Sequence, residues 1–494
     1  MKRFLTIVLA LLLCMSFTFS FACDLAGNGN DSSNDSNDQT QGDNNTPDGG
    51  EDDGDGSEHS HQYSDWVATD NEHYHICECG DKTDVAQHSF ESGVCTICGS
   101  REVTTGFEYE LINDGKEYRL TGIGSVNSQV LVIPRESQGK PITQIGEYAF
   151  YYNENITEVY IGENINLVGE YAFLFCTSLQ KVVIPQSVKT LCDFAFSRCE
   201  SLTDVQIADG VENFGKYVFS NTGIFKQTSL WENGILYVGN YVLDTKKNLK
   251  DSITVKEGAR VITPYAFKSC ETMTEIILPD SLIAVCDYAF YDCIRLVEVD
   301  FGEGVKSIGD NSFRSCKEIV QINFPNSLEK IGENAFVGCK NLQSIAIGSS
   351  LKTISAGAFL GLELLTKIDL GTSVESIGDG AFYRCISLSQ VVFSDNLKEI
   401  GEEAFLGCYN LKQANFKEGL LKISQSAFKS SGITRIDLPK TLTELGFDAF
   451  EYCSGVSSVR FGGTIAQWKA FGYSDWASSE LVAIECSDGQ FILS

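Results

Sequence analysis

The sequence predicts an α/β solenoid, in which short repeats stack along one axis around a continuous core. The first observation behind this prediction is an aromatic residue, usually preceded by Ala, that recurs every 23 residues over most of the chain. The second is a short alternation of apolar and polar residues at a constant distance from that aromatic residue. Repeats this short do not fold alone, because only stacked neighbours bury their apolar side chains.

The aromatic residue marks each repeat, or rung. Successive copies lie 23 residues apart, except for one interval of 48 and a last interval of 22, which predicts about fourteen rungs. The long interval equals two periods plus two residues and contains the segment 231–243, "WENGILYVGNYVL". The copies are Phe150, Phe173, Phe196, Phe219, Phe267, Phe290, Phe313, Phe336, Phe359, Phe382, Phe405, Phe428 and Phe450.

Each rung is predicted to contain one strand and one turn. Around Phe336, the alternation of Leu342, Ile345 and Ile347 predicts a short strand, so that stacked rungs form a parallel sheet on one face. The preceding "GENAFVGC" is expected to form a single helical or 3-10 turn that returns the chain on the other face.

The repeated motif I-G-x-x-A-F-x-x-C-x-x-L-x-x-I-x-L-P resembles that of the BspA-like, or Treponema-type, leucine-rich repeat. The resemblance covers about residues 107–490. It implies a leucine-rich-repeat solenoid in a bacterial cell-surface protein associated with attachment to host proteins or to other cells. The resemblance does not identify a ligand, or any ligand-binding residue, in this chain.

The N-terminal segment predicts export. Two basic residues precede an apolar run, so residues 1–22 are expected to be a signal peptide. Cys23 follows Ala22 as in a bacterial lipoprotein, which predicts a lipid on Cys23 as the sole membrane contact, with ordinary cleavage after Ala22 as the alternative. Residues 23–58 contain eleven acidic side chains and neither Lys nor Arg, and are expected to form a disordered tether.

Residues 59–100 contain all five histidines of the chain and four cysteines, and predict a small zinc-ribbon-like Cys/His module. Two cysteine pairs are separated by fifteen residues, a spacing that lets two turns close on one tetrahedral ion. The first pair is C-x-C rather than C-x-x-C, so a histidine is expected to replace one thiolate. The candidate metal ligands are Cys77, Cys79, Cys95, Cys98, His75 and His88.

Zinc bound by this module is predicted to be structural, because a closed four-ligand site stabilises folding whereas catalysis requires an open position. Disulfide pairing and free thiols are the alternatives for a secreted chain. Metal capture is the alternative function, since His59, His61 and His73 would add a looser, exposed set of ligands.

The repeats are predicted to occupy residues 146–455. The segments on either side are expected to cap the solenoid, with residues 101–145 at the N-terminal end and residues 456–494 at the C-terminal end. Near the C-terminus, Trp468, Phe471 and Trp476 are expected to cover the open apolar face of the last rung.

Cysteine also recurs inside the repeats, three residues after Phe, where Asn, Thr, Leu and Ser are accepted too. This tolerance indicates a buried structural position rather than a nucleophile. Because no histidine follows His88, a Ser-His or Cys-His catalytic pair is excluded from the repeats, and the protein is predicted not to be an enzyme. A net charge of −30 argues against nucleic acid as a partner.

Side chains that flank the middle apolar residue of each strand are expected to point outward. They form a face that changes from acidic to amide-rich to mixed charge: Glu275, Glu298, Asp300, Gln321, Asn323, Lys367, Asp369, Gln390, Gln413, Asn415, Arg435, Asp437 and Arg460. Such a face suits a protein or glycan of a host or neighbouring cell better than a small molecule. A solvated face without a partner is the alternative. The sequence thus predicts a secreted, lipid-anchored, monomeric bacterial surface protein that functions in adhesion.

Overall fold

The computed structural model describes residues 62–472 and 483–492. The predicted signal peptide, Cys23, the acidic tether, His59, His61 and Trp476 lie outside these residues. The main body is a solenoid of stacked parallel-strand coils with about sixteen turns, two more than predicted. Strands Val130–Val132 and Ala483–Cys486 lack the aromatic motif, yet they pair in parallel with the neighbouring rungs and extend the stack.

The predicted strand of each rung is present, and we call these strands the face strands. In Gln321–Asn323 the middle Ile322 is buried while its two neighbours are exposed, as the alternation predicts. The face strands are Val130–Val132, Glu158–Tyr160, Lys181–Ile184, Asp204–Ile207, Ser252–Thr254, Glu275–Ile277, Glu298–Asp300, Gln321–Asn323, Ser344–Ala346, Lys367–Asp369, Gln390–Val392, Gln413–Asn415, Arg435–Leu438, Ser458–Phe461 and Ala483–Cys486.

A second parallel ladder, which was not predicted, is formed by the residues just before the "IG" turn. In Lys330–Ile331 the Ile side chain is fully buried, and the N–H of Gly332 donates to Ile308 O of the preceding rung at 2.7 Å. The strands are Lys140–Ile145, Leu167–Val168, Thr190–Leu191, Asn213–Phe214, Tyr241–Thr245, Val261–Ile262, Ala284–Val285, Ser307–Ile308, Lys330–Ile331, Thr353–Ile354, Ser376–Ile377, Glu399–Ile400, Lys422–Ile423 and Glu444–Leu445.

The expectation of a helical or 3-10 turn in each rung is wrong. In "GENAFVGC", Asn334 and Gly338 have positive φ angles of 55° and 82°, which interrupt helical hydrogen bonding. The N–H of Phe336 donates instead to Ala358 O of the next rung at 3.0 Å. The described residues contain one α-helix, Ile465–Ala470, and two 3-10 helices, Gly223–Lys226 and Thr228–Leu230. Helix content is therefore very low, and the predicted α/β class is only partly supported.

The core is a stack of repeated side chains. The rings of Phe313 and Phe336 are stacked with centroids 5.3 Å apart, and the same relationship recurs in most rungs. The thiol of Cys339 is buried and donates to Phe313 O at 3.2 Å, as the equivalent cysteines do in their rungs, except Cys270, whose sulfur contacts Thr245 Oγ1. The repeated cysteine therefore provides both packing volume and a donor for a buried carbonyl.

The 48-residue interval contains a three-stranded antiparallel insertion, Trp231–Glu232, Ile235–Val238 and Tyr241–Thr245. Its last strand continues the second ladder by pairing in parallel with Val261–Ile262. The hydroxyl of Tyr241 accepts from the N–H of Val211 at 3.1 Å and donates to Ala208 O at 2.8 Å. One buried tyrosine thus joins the rungs on the two sides of the insertion.

The segments outside the regular rungs are also ordered by pairing. Strands Glu108–Ile112, Glu117–Gly122 and Glu136–Ser137 begin the solenoid, and Gly489–Ile492 ends it antiparallel to Ala483–Cys486. The helix Ile465–Ala470 begins with a capping box and buries Trp468. The Cys/His module consists of Val67–Ala68, Glu72–Ile76, Lys82–Gln87, Phe90–Glu91 and Val94–Cys95.

Candidate interaction surface and metal-ligating cluster

The face strands bring the predicted interaction residues together in two rows. In-register pairing places Glu275 beside Glu298 in one row and Asn415 beside Asp437 in the other. Each strand contributes one side chain to each row because its middle residue is buried. We call these two rows the strand face.

The electrostatic character of the strand face changes along the stack. At one end Glu275 and Glu298 are direct neighbours, and no ion pair to either is found among the described residues. At the other end the guanidinium of Arg435 donates two hydrogen bonds to Asp437, at 2.7 and 2.9 Å. Asp437 is in turn the register partner of Arg460. The face therefore has an acidic region and a mixed-charge region.

A cavity of about 640 Å³ lies at the 48-residue interval. Phe219, Leu243, Asp244 and Tyr265 are among its lining residues. Burial raises the pKa of the Asp244 carboxyl, and a hydrogen bond from the Thr245 N–H opposes this effect. The sequence prediction did not include this cavity, although the irregular interval was a signal that the stack is interrupted there.

Four side chains of the Cys/His module converge, and we call them the Cys/His cluster: His73, His88, Cys95 and Cys98. Their ligand atoms all lie within 4.8 Å of one another. His73 is 1% exposed and Cys95 is 2% exposed, so the cluster is closed to solvent on one side. The strand Glu72–Ile76 supplies the first histidine, and the hairpin of Phe90–Glu91 and Val94–Cys95 supplies the first cysteine.

The structure assembles only part of the predicted ligand set. Cys95, Cys98 and His88 meet as expected, but Cys77 and Cys79 lie outside the cluster. These two cysteines begin the turn that joins Glu72–Ile76 to Lys82–Gln87, where the N–H of Cys77 donates to Asp81 O at 2.8 Å. Four residues of extended strand, roughly 13 Å, separate this turn from His73, which explains why the first cysteine pair does not take part.

His75 also differs from its prediction. The register of Glu72–Ile76 against Lys82–Gln87 shifts between His73 and His75, which marks a β-bulge. A bulge re-aims the side chains on either side of it. The ring of His75 accordingly lies within hydrogen-bonding distance of Ser64 O, at 2.8 Å, and His73 takes the place predicted for it.

The cluster favours the thiolate form of Cys95. Burial raises the pKa of this thiol, but hydrogen bonds from the backbone N–H groups of Cys98 and Ile97 oppose burial, and the pKa is lowered to about 5. A thiolate is the form of cysteine that binds a metal.

The match to a family model comes from the repeats. Residues 143–274, 237–365 and 352–477 match the model of the BspA type leucine rich repeat region, which together is more than half of the chain. This chain belongs to the BspA-type leucine-rich-repeat family. Leucine-rich-repeat proteins of this kind typically mediate protein–protein interaction as binding scaffolds.

Solved structures similar to this BspA-type chain include a leucine-rich repeat protein from Bacteroides ovatus, with 22% identity, coverage of 78% of this chain and 99% of that chain, and a TM-score of 0.41. A leucine-rich cell surface protein from Faecalibacterium prausnitzii has 23% identity, covers 77% and 99% of the two chains, and has a TM-score of 0.31. The leucine-rich repeat protein of T. pallidum has 17% identity, coverage of 62% and 89%, and a TM-score of 0.18.

No curated protein matches this BspA-type chain significantly. Within the part of the chain that the structure describes, no helix has the length and hydrophobicity needed to cross a bilayer.

Proposed function

We propose that this protein is a bacterial cell-surface adhesion protein whose strand face binds a protein or glycan of a host or neighbouring cell. The observation that carries the proposal is the strand face itself, in which three sheets of in-register rungs present two rows of mostly polar side chains. Ile277, Ala346 and Val392 interrupt one of these rows. A broad, rigid surface of this kind matches the extended partners that solenoids bind. Family membership supports a binding role.

The polarity of the strand face supports a macromolecular partner rather than a small ligand. Exposed carboxylates, amides and basic groups lie along it, and the buried middle residue of each strand separates the two rows. Most interface energy comes from a few central contacts, so one region of the face is expected to dominate binding. The mixed-charge region is the first candidate, because Arg is enriched in such centres.

The test compares two triple charge reversals. Lys367→Glu, Arg435→Glu and Arg460→Glu alter the strand face, whereas Lys306→Glu, Lys317→Glu and Lys340→Glu make the same change of charge at exposed positions elsewhere. Bacteria displaying each variant are measured for adherence to epithelial monolayers and to mucin-coated plates. We expect at least a tenfold loss for the first variant alone. Equal adherence of both variants and the unmodified protein would remove the strand face from the proposal.

Surface attachment is proposed to depend on a lipid at Cys23, which the N-terminal sequence predicts. The substitution Cys23→Ala is expected to release the protein into the medium, and mass spectrometry of the native N-terminus is expected to find a diacylated cysteine. An unmodified terminus after cleavage at Ala22 would instead indicate ordinary secretion. Size-exclusion chromatography with light scattering tests the expected monomer.

Metal capture, the alternative function predicted for the Cys/His module, has less support. A protein that collects and releases metal needs accessible ligands, whereas His73 and Cys95 are buried. The rate of metal exchange distinguishes capture from a structural role.

A further inference from the structure

The Cys/His cluster has the dimensions of a tetrahedral metal site. His73 Nδ1 lies 3.3 Å from His88 Nδ1 and 3.8 Å from Cys95 Sγ, and His88 Nδ1 lies 3.4 Å from Cys98 Sγ. Zinc bonds of about 2.0–2.1 Å to nitrogen and about 2.3 Å to sulfur imply about 3.3 Å between nitrogens and about 3.6 Å between nitrogen and sulfur in a tetrahedron. The observed distances bracket these values.

Surrounding groups hold the ligands in the orientation that a metal requires. His88 Nε2 lies 3.0 Å from the carbonyl oxygen of Thr69, which places the proton on Nε2 and leaves Nδ1 free to bind an ion. The ring of Trp66 packs edge-on against His73 with centroids 4.8 Å apart. Ser100 Oγ lies 3.3 Å from Cys98 Sγ. Such outer contacts fix the ligands before the ion arrives.

We propose that the Cys/His cluster binds one zinc ion in a closed structural site. Two thiolates and two imidazoles form a ligand set typical of structural zinc, and they fill all four positions of the tetrahedron. Zinc binds the thiolate form of cysteine and a neutral imidazole nitrogen, so protons compete with the ion for these ligands. Cys77, Cys79 and His75 have no part in this site. The proposal is independent of ligand binding by the strand face.

The site also connects the module to the first rungs of the solenoid. Thr69, which orients His88, is followed by Asp70, whose carboxylate accepts from the Arg135 N–H at 2.8 Å. Nearby, the guanidinium of Arg101 lies 4.1 Å from the centroid of the Tyr160 ring. Zinc binding at the cluster therefore stabilises the loop through which the module contacts the solenoid.

Substitution of neighbouring residues of the same type tests the proposal. In the chain from residue 24 onward, His73→Ala and Cys95→Ser remove proposed ligands, whereas His75→Ala and Cys77→Ser are the matched controls. Zinc is measured by mass spectrometry after dialysis against a weak chelator. We expect about one zinc per chain in the unmodified protein and in both controls, and at least a tenfold lower content in the two ligand variants. Loss of zinc in the controls, or no zinc in the unmodified protein after reduction and reconstitution, would overturn the proposed ligand set.

A second measurement separates loss of a ligand from loss of the fold. His73→Cys provides a different ligand at the same position, so it is expected to retain the metal, and its cobalt complex should have a stronger thiolate charge-transfer band. Circular dichroism of the solenoid should not change in any variant. Exchange of bound zinc with an isotopic label should take hours to days. Exchange within minutes would contradict a closed structural site and favour metal capture.

Discussion

Tyr217 and Tyr265 lie 48 residues apart in the sequence, yet their rings stack with centroids 4.8 Å apart. Phe194 stacks on the first ring and Tyr288 on the second, so an outer aromatic ladder continues across the insertion. The insertion therefore leaves the neighbouring rungs adjacent on the turn side while it adds a hairpin elsewhere.

The stacked rings of Tyr217 and Tyr265 are expected to have a measurable interaction free energy. A double-mutant cycle of Tyr217→Ala and Tyr265→Ala should give about 1 kcal/mol of interaction free energy in denaturant unfolding, because stacked rings contribute beyond their buried area. The distant pair Tyr265→Ala and Tyr409→Ala is the control and should be additive. Additive behaviour of the stacked pair would contradict a role for the ladder in holding the two sides together.

Lys429 is expected to stabilise a buried carboxylate. It lies 2.7 Å from Asp448, whose side chain is 5% exposed, and 2.6 Å from Glu451. Lys429→Ala should lower the free energy of unfolding by about 2 kcal/mol, because the carboxylate of Asp448 loses its cation. Adding Asp448→Asn should restore part of this loss. Lys352→Ala, which breaks an exposed pair with Glu375, should cost less than about 0.5 kcal/mol. Urea denaturation measures both changes. Equal losses of unfolding free energy in Lys429→Ala and Lys352→Ala would contradict a larger contribution from the buried ion pair.

The cysteine ladder is expected to make stability fall at alkaline pH. Burial raises the pKa of Cys339 and Cys385 to about 12, from an ordinary value of 9.0. Below pH 9 both folded and unfolded chains carry thiols; between pH 9 and about 12 only the unfolded chain ionises, so folding loses about 1.4 kcal/mol per pH unit for each thiol. Urea midpoints measured from pH 8 to 11 should therefore fall.

Variants in the same slot provide the control for this pH dependence. Cys339→Ala and Cys385→Ala should each make the fall in stability less steep, since one titrating thiol is removed. Leu362 occupies the equivalent position in its rung, and Leu362→Ala should lower stability at every pH without changing the slope. If stability fell with pH as steeply in all three variants as in the unmodified protein, the thiols would not be the cause of the alkaline loss of stability.

The ionised carboxylate of Asp287 is expected to lower the free energy of unfolding at neutral pH. Burial raises the pKa of its carboxyl, although its Oδ1 accepts from the Asp310 N–H at 2.8 Å. A raised carboxyl pKa means that the folded chain binds the proton more tightly, so stability rises as the pH falls from neutral through that pKa. Asp287→Asn keeps an acceptor oxygen and removes the charge, and it should raise the melting temperature at pH 7 but not at pH 3.

The exposed Asp379 provides a matched control. It accepts from the Glu402 N–H at 2.7 Å in the same position of its rung. Because water solvates its charge, Asp379→Asn should change the melting temperature at pH 7 by less than Asp287→Asn does. A larger rise in melting temperature for Asp379→Asn than for Asp287→Asn would contradict the role of burial.

Much of the solenoid could be predicted from the sequence because its determinants are local. The spacing of Phe and the alternation in the face strands repeat with the period of one rung, so each rung specifies its own inward and outward side chains. For this reason the thirteen predicted residues lie on the strand face. The second ladder could not be predicted with equal ease, because two extended residues such as Lys330–Ile331 are too short to show a period.

The sequence by itself determined the repeat, its strand and the buried stack, since these follow from spacing along the chain. For the Cys/His module it predicted six candidate ligands, of which Cys95, Cys98 and His88 lie in the cluster. Only the tertiary structure decided that His73 completes the cluster and that Tyr217 meets Tyr265. The first depends on a β-bulge that re-aims one side chain, and the second on packing between rungs separated by an insertion. Both are long-range contacts, and spacing along a chain does not specify which distant residues come together.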